Sequence, residues 1–322
     1  MEIADLVVIG AGMAGLTVAR GAVEAGLAVQ MIDKGRGLGG RLATRRAEGG
    51  LRFDHGAQYL RPRSAGFAAL LEDAAEAEAA APWDAADGAY VGLPGMSGLP
   101  KHLAQDLAIT VGRRAGALSR TDNAWEVTDT EGQLALRGRR VVMAMPAPQI
   151  EMVLGPDHPG SHAIADVEFA PCWALMVAFD GAAGLPRTHR DTGPEALLSW
   201  IAHDGAKPGR GGTASYVAHA SAAWSRAHLE DEADRVQARM LESLAEIADG
   251  PLPPMRHAAL HRWRFSTAAR PLGREYVALE DGGLYLCGDW CLGDRAEHAW
   301  ASGQAVLKAL DLSSISRKAL GG

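Results

Sequence analysis

The run Gly10-Ala11-Gly12-Met13-Ala14-Gly15 constrains the fold of this 322-residue chain more than any other segment. It follows a short apolar run, Leu6–Ile9, and precedes an alanine-rich stretch at about 14–25 that predicts a helix. Residues 27–32 then predict a second buried strand, which stops at Asp33. In this setting the glycines permit a tight turn, close approach of a pyrophosphate and close packing of helix on strand, and a carboxylate 18 residues further on can bind a ribose. These features together predict a dinucleotide-binding β-α-β unit.

Two further glycine-containing segments favour FAD over NAD as the bound dinucleotide. Gly39-Gly40-Arg41 follows the second strand, and Gly288-Asp289-Trp290 lies between a predicted strand at 284–287 and a predicted helix at about 296–310. A domain that binds only NAD needs neither segment. The glycines would let backbone N–H groups face a pyrophosphate, and the arginine would add a fixed positive charge. The positive end of the last helix would lie near the flavin pyrimidine ring. A solvated loop arginine is the alternative for Arg41.

Composition bounds the class of protein and its partners. Hydrophobic residues make up 48% and charged residues 22% of the chain, as in an ordinary globular protein, and the length favours two domains. The net charge of -7 and the pI near 5.9 argue against nucleic acid or an anionic membrane surface as a partner. Three cysteines without CxxC spacing and the absence of a leader-like or membrane-spanning segment predict a cytoplasmic protein. The 11 scattered histidines predict no metal site, and nothing in the pattern indicates an oligomeric state.

The order of predicted elements indicates an α/β protein: a Rossmann-type FAD-binding domain with a second α+β substrate domain. We expect the FAD-binding domain to be discontinuous, at 1–62, 95–158 and 266–322, with the substrate domain at 63–94 and 159–265. Strands at about 173–179, 199–202 and 213–219, then a helix over 230–248, give the second domain its character.

Five more segments, spread over nearly the whole chain, form a specific combination with GAGMAG. They are DKGRGLGGRLATRR at 33–46, FDHGAQY at 53–59, VGLPGMSGL at 91–99, WSRAHLE at 224–230 and YLCGDW at 285–290. Together they resemble the renalase family, in its bacterial branch, within the amine-oxidase-like FAD superfamily. The resemblance implies a fold similar to p-hydroxybenzoate hydroxylase and non-covalently bound FAD. It also implies oxidation of 2- and 6-dihydro isomers of NAD(P)H by dioxygen, giving NAD(P)+ and hydrogen peroxide.

Such a reaction requires a flat pocket more than a side-chain base, because a dihydropyridine already carries a transferable hydride and its product is aromatic. The residues that we predict to contact the substrate are Trp290, His55, Tyr59, His219, Trp224 and His261. Trp290 could equally be a core tryptophan, and packing is the alternative for each ring of the second domain, including Trp263. The predicted cofactor-binding residues are Gly10, Gly12, Met13, Ala14, Gly15, Asp33, Lys34, Gly40, Arg41, His55, Gly56, Ala57, Gln58, Tyr59, Ala115, Pro146, Gly288, Asp289, Ala299 and Ser302.

Two other functions stay open. The first is amine oxidation or another reaction of the same superfamily; amine oxidation would favour an aromatic cage and a lysine near the flavin. The chain has few lysines, and none falls in a segment that we expect over the ring: Lys34, Lys101, Lys207, Lys308 and Lys318. The second is a non-catalytic protein that uses FAD structurally.

Overall fold

The computed structural model describes residues 2–310. The helices are α1 (Met13–Glu24), α2 (Ala65–Glu76), α3 (Gly98–Leu103), α4 (Ala147–Leu154), α5 (Pro159–Ala163), α6 (Ala222–Ala227), α7 (Ala233–Ile247) and α8 (Ala296–Ala309). The strands are β1 (Ala4–Ile9), β2 (Val29–Asp33), β3 (Thr44–Arg46), β4 (Arg52–Asp54), β5 (Ala80–Trp83), β6 (Ala89–Gly92), β7 (Ile109–Val111), β8 (Ala115–Arg120), β9 (Trp125–Asp129), β10 (Leu134–Met143), β11 (Glu168–Phe179), β12 (His189–Asp191), β13 (Leu198–His203), β14 (Ser215–Ala220), β15 (Met255–Arg270), β16 (Val277–Leu279) and β17 (Leu284–Leu286).

The chain divides into two compact units. Unit 1 comprises Met1–Gly40, Pro100–Glu168 and Ala268–Gly322, and unit 2 comprises Arg41–Leu99 and Phe169–Thr267. The predicted division differs from this one chiefly at residues 41–62, which it assigns to the FAD-binding domain but which have their contacts within unit 2. Residues 311–322 of the predicted FAD-binding range lie outside the described residues.

Unit 1 is built on an eight-stranded sheet. Its main order is β16-β17-β10-β1-β2-β7, with β9 paired to β10 and β8 paired to β9. The strands from β17 to β7 are parallel, whereas β8, β9 and β16 pair antiparallel with their neighbours. Residues Leu6–Ile9 of β1 are buried, as expected for a strand in the middle of a parallel sheet that is covered on both faces. The carboxyl ends of β1 and β2 bring the glycine turn and Asp33 to one edge of this sheet.

Helices α1 and α8 pack closely against each other in unit 1, and small residues make this approach possible. A Cβ on Gly303 would lie 2.7 Å from the carbonyl oxygen of Ala14, and a Cβ on Gly21 would lie 2.2 Å from a methyl carbon of Leu307. A larger side chain at Gly303 would therefore push the helices apart, whereas one at Gly21 would first displace the flexible end of Leu307.

Unit 2 is built on a five-stranded sheet with the order β12-β13-β14-β11-β15, accompanied by the hairpins β3–β4 and β5–β6. Alternate residues of its strands divide between two faces, because successive side chains of a strand point in opposite directions. One face packs against α7 through Leu175, Val177, Ala218, Val236, Met240 and Leu244. The opposite face packs against hairpin β3–β4 through Met176, Ala178, Val217, Leu51 and Phe53. The second face therefore carries the segment that follows β4.

The helices and strands predicted above correspond to β1, α1, β2, β11, β13, β14, α7, β17 and α8, and the longest element that was not predicted is β15. The helix predicted over 230–248 is α7, with buried residues Val236, Met240 and Leu244 four apart on one side, and each buried side chain contributes about 1.5–3 kcal/mol. No strand was predicted over Met255–Arg270. Among residues 2–310, no helix is long and apolar enough to cross a membrane.

Candidate flavin and substrate site

Three glycines, Gly10, Gly12 and Gly15, lie in the turn between β1 and α1 or in the first turn of α1. A different feature of the structure explains each of them. Gly10 has φ +108°, and a Cβ there would lie 2.4 Å from the carbonyl oxygen of Ala144. A Cβ on Gly15 would lie 2.0 Å from the carbonyl oxygen of Gly10, so only glycine lets the helix approach the turn this closely. A Cβ on Gly12, in contrast, would have no protein atom within 4 Å. Open space over Gly12 at the N-terminus of a helix fits the pyrophosphate of a dinucleotide.

Asp33 ties the end of β2 to this turn. Its Oδ2 accepts a hydrogen bond from the Ala11 N–H at 2.6 Å, and its Oδ1 accepts one from the Gly35 N–H at 2.6 Å. Each carboxylate oxygen can accept more than one hydrogen bond, so the side chain keeps acceptor capacity for a ribose. The following loop also returns to the turn, because the Gly39 N–H donates to the Ala11 carbonyl at 2.9 Å. The structure therefore brings Asp33 and the 39–40 loop beside Gly12; that they bind FAD stays a prediction.

The C-terminal segment of unit 1 that is predicted to face the flavin is connected by buried hydrogen bonds. The Gly288 N–H donates to the Ser302 Oγ at 3.1 Å, and the Ser302 hydroxyl donates to the Glu275 carbonyl at 2.6 Å. A short 3-10 turn, Asp289–Cys291, follows, and α8 begins at Ala296. The side chain of Ser302 thus joins the Gly-Asp turn to the helix.

Trp290 is a correction to the predicted substrate contacts. Its side chain has 0% exposed surface, and its Nε1–H donates to the Met145 carbonyl at 3.0 Å. The ring also packs over Gly288, where a Cβ would lie 2.5 Å from Nε1. A fully buried tryptophan with its N–H satisfied has no surface to offer a ligand. The structure therefore supports the core tryptophan that the sequence left as the alternative.

The other predicted cofactor residues of unit 1 lie near the ends of helices and strands. Met13 and Ala14 form the buried first turn of α1, Lys34 follows β2, Ala115 begins β8, Pro146 precedes α4, and Ala299 lies in the first turns of α8. Their contact with FAD stays a prediction.

A group of histidine and tryptophan rings surrounds the main chain at His55 in unit 2. The His55 ring stacks on Trp263, with centroids 5.1 Å apart, and meets His261 edge-on at 4.8 Å. The His55 carbonyl accepts hydrogen bonds from the Trp263 Nε1–H at 2.8 Å and from His219 Nε2 at 3.2 Å. Because a carbonyl can only accept, the neutral His219 carries its proton on Nε2. We call His55, His219, His261 and Trp263 the ring cluster. Its three histidines were predicted to contact the substrate, and packing was the alternative for its tryptophan.

The histidines of the ring cluster are uncharged at neutral pH. Burial lowers the pKa of His55 to about 4, and the neighbouring His261 contributes to this lowering. Burial likewise lowers the pKa of His219 to about 4, and burial followed by the charge of Arg45 lowers that of His261. The cluster therefore presents aromatic and neutral imidazole groups, not an imidazolium or a strong base.

A buried charged cluster that the sequence did not reveal clamps the segment after β4. Lys207 Nζ lies 2.6 Å from Asp204 Oδ1 and 3.4 Å from Asp54 Oδ2, and the Arg210 guanidinium also pairs with Asp54. These four side chains are at most 2% exposed, and their two cations match two carboxylates. Burial raises the pKa of Asp204, and Lys207 opposes this effect. Lys207 also donates to Gln58 Oε1 at 3.2 Å. Residues 54–58 are thus held by side chains that are about 150 positions away in sequence.

The main chain at Gly56 and Ala57 is held against Arg41 within unit 2. A Cβ on Gly56 would lie 2.1 Å from the Arg41 carbonyl oxygen, which accepts a hydrogen bond from the Ala57 N–H at 2.9 Å. The Arg41 guanidinium donates to the Ser266 carbonyl at 2.9 Å, so it is more than a solvated loop arginine. Glycine at 56 is required by this close approach of two backbone segments.

Tyr59 and Trp224 lie outside the ring cluster. Tyr59 contacts Trp83 and Trp200, with centroids 5.8 and 5.9 Å apart. Trp224 packs on His228, with centroids 4.3 Å apart, at the face covered by α7. The sequence placed all these rings over one pocket, and the structure separates them.

Comparison with known families agrees with the fold and the glycine turn, which are those of a dinucleotide-binding protein. A family model for an NAD(P)-binding Rossmann-like domain matches residues 8–74, and the model of the flavin containing amine oxidoreductases matches residues 84–306. The second match covers more than half of the chain, so the chain belongs to the flavin containing amine oxidoreductase family. It is an oxidoreductase with FAD as its cofactor.

Solved structures show the same fold at low sequence identity. A candidate protoporphyrinogen oxidase from Exiguobacterium sp. 255-15 is 16% identical, with a TM-score of 0.76 over 96% of this chain and 98% of that chain. A putrescine oxidase bound to putrescine is 14% identical, with a TM-score of 0.70 over 96% of this chain and 99% of that chain. These identities support a common fold and leave the substrate open.

Proposed function

We propose that this chain is a renalase-like oxidase with the p-hydroxybenzoate hydroxylase-like fold, which oxidises 2- or 6-dihydro isomers of NAD(P)H to NAD(P)+ and reduces dioxygen to hydrogen peroxide. The observation that carries this proposal is the uncharged ring cluster. Transfer of a hydride from a dihydropyridine leaves a positive charge on the pyridinium product. Neutral imidazoles beside it do not oppose that charge, whereas an imidazolium would.

The residues of the chain have to bind and orient the substrate. They do not have to supply a base. FAD bound by this chain would supply the redox chemistry, which is acceptance of a hydride and transfer of electrons to dioxygen. The ring cluster provides flat surfaces for stacking a pyridine ring, and the two hydrogen bonds to the His55 carbonyl fix the main chain there. The charged cluster immobilises residues 54–58, so that the rings are preorganised for one orientation of the substrate.

Cys291 supports non-covalent rather than thiol-linked FAD. The side chain has 0% exposed surface, and burial raises its pKa to about 12. A thiol in this environment carries almost no thiolate at neutral pH, so it is a poor nucleophile. We expect acid precipitation to release all the FAD into the supernatant.

Amine oxidation is the second candidate, because one observation removes the argument against it. From the sequence, no lysine was expected in a segment over the flavin ring, which disfavoured an amine substrate. The structure instead places Lys207 Nζ 3.2 Å from Gln58, one of the residues predicted beside the flavin. The position of lysine therefore no longer separates the two functions, and substrate tests must do so.

Steady-state oxidation distinguishes the candidates. Dioxygen uptake and peroxide formation are measured with 2-dihydro-NAD, 6-dihydro-NAD, ordinary NADH and putrescine, using wild type, Trp263→Leu and Trp224→Leu. We expect peroxide from the 2- or 6-dihydro isomer, a fall in kcat/KM of at least about tenfold in Trp263→Leu, and near wild-type values in the control Trp224→Leu. Turnover with putrescine alone would establish the amine alternative. No turnover with any compound would favour a structural role for FAD.

A further inference from the structure

An arginine-lined pocket lies in unit 2 at the tip of hairpin β3–β4 and the start of β15. Its volume is about 540 Å³, within the range of sites for small molecules. The residues that matter for its chemistry are Arg45, Arg46, Arg256, His257 and Glu48. The nucleotide motifs of unit 1 do not include any of these residues.

The pocket has an excess of positive charge. Three guanidinium groups line it against a single carboxylate, that of Glu48. Arg256 also interacts with the exposed Asp180, with Nε and Oδ1 3.5 Å apart. Within residues 2–310, neither Arg45 nor Arg46 has an ion pair or hydrogen bond of its side chain to another protein group. Their donors are thus available to an anion.

Geometry connects this pocket to the ring cluster. Arg45 lies directly opposite Phe53 in hairpin β3–β4, so the two side chains are on the same face. His55 follows Phe53 by two residues, just beyond the end of β4. The Phe53 ring stacks on His257 of the pocket, with centroids 5.4 Å apart and planes 19° apart.

We infer that this pocket binds the phosphate groups of the dihydropyridine nucleotide substrate. The inference rests on the proposed function and adds the group that is recognised. Guanidinium groups match phosphate oxygens in geometry as well as in charge, and a pocket with this charge would repel a cationic amine. Arg45 and Arg256 are the residues that contact phosphate.

Equilibrium binding tests this inference without turnover. Titration calorimetry of the FAD-loaded protein with NAD+, nicotinamide riboside and inorganic pyrophosphate is compared in wild type, Arg45→Ala, Arg256→Ala and the control Arg235→Ala, which removes an exposed arginine of α7. We expect the Kd for NAD+ and for pyrophosphate to rise about tenfold in each pocket variant and to stay unchanged in the control. The Kd for nicotinamide riboside should be the same in all four proteins.

The outcomes separate this inference from the proposed function. Equal affinity of the pocket variants and wild type for NAD+ and pyrophosphate overturns the inference, even if dihydropyridines reduce the flavin. Loss of pyrophosphate binding in both pocket variants supports it, even if no dihydropyridine is oxidised. An equal loss in Arg235→Ala would indicate a general effect of net charge and would also overturn it.

Discussion

Alanine at Gly12 and alanine at Gly15 should affect different properties of the protein. The Cβ of Gly15→Ala would lie 2.0 Å from the Gly10 carbonyl oxygen, and both atoms belong to fixed backbone. Strain of about 3 kcal/mol is expected from such overpacking, and the better helix propensity of alanine offsets about 1 kcal/mol of it. The net loss of about 2 kcal/mol should lower Tm by roughly 4–8 °C.

Gly12→Ala should leave the fold intact and weaken FAD binding. No protein atom lies within 4 Å of the added Cβ, and the extended φ of -83° suits alanine, so the cost to folding is below about 1 kcal/mol. The methyl group would, however, occupy the space that we assign to the pyrophosphate. Loss of two hydrogen bonds to a charged phosphate costs about 3 kcal/mol or more, which weakens FAD binding roughly a hundredfold.

The assay combines the FAD-to-protein ratio after gel filtration with the Tm of the FAD-free protein. Gly181→Ala is the matched control, because its Cβ also has no neighbour within 4 Å and it lies in unit 2. Full FAD retention in Gly12→Ala would refute the assignment of the pyrophosphate to this turn. A wild-type Tm in Gly15→Ala would refute the packing argument.

Three further predictions concern single groups. Asp33→Ala should lower FAD occupancy by the loss of a bond worth about 1.5–3 kcal/mol while turnover per bound FAD survives; a collapse of turnover at full occupancy would place Asp33 elsewhere. Lys207→Met should lower the free energy of unfolding of unit 2 by about 3–5 kcal/mol in urea, because it leaves Asp54 and Asp204 with one cation between them. A decrease below about 1 kcal/mol would contradict the stabilising role of the charged cluster. His55 and His219 titrate near pH 4 when folded but near 6.5 when unfolded, so the unfolded state binds more protons between these values. The stability that they contribute is therefore complete above about pH 6.5 and falls by up to about 1.4 kcal/mol per pH unit for each as the pH drops toward 4. His219→Gln should show a shallower dependence in urea midpoints from pH 7.5 to 5, and an unchanged slope would contradict the shift.

The sequence predicted the dinucleotide-binding unit well because its determinants are local. Residues 14–25 were expected to be helical and α1 is Met13–Glu24; the strand expected at 27–32 is Val29–Asp33. The glycine spacing, the apolar runs and the carboxylate of Asp33 all lie within the first 33 residues. The amine oxidoreductase family was likewise accessible from motifs, whereas the renalase substrate remains a proposal.

The interactions in unit 2 could not be predicted because they join distant segments. Asp54 and Lys207 are charged, and charged residues are ordinarily assigned to the surface unless a partner is known. Strand β15 was missed because histidines at 257 and 261 interrupt the apolar positions 255, 259, 263 and 265, although these positions alternate with arginines at 256, 262 and 264. That alternation itself was the available signal, since it places His257, His261 and Trp263 on one side of a strand.

The rate of flavin reduction in the absence of dioxygen tests the proposed substrate most directly. The FAD-loaded protein is mixed under anaerobic conditions with 2-dihydro-NAD, 6-dihydro-NAD, NADH or putrescine, and the loss of oxidised-flavin absorbance is followed by stopped flow. A displacement of about 1 Å of the reacting carbon can cost on the order of a hundredfold in rate, so one dihydro isomer should bleach the flavin far faster than NADH and putrescine should not bleach it. Equal rates with all three dihydropyridines, or bleaching by putrescine alone, would contradict the proposed substrate.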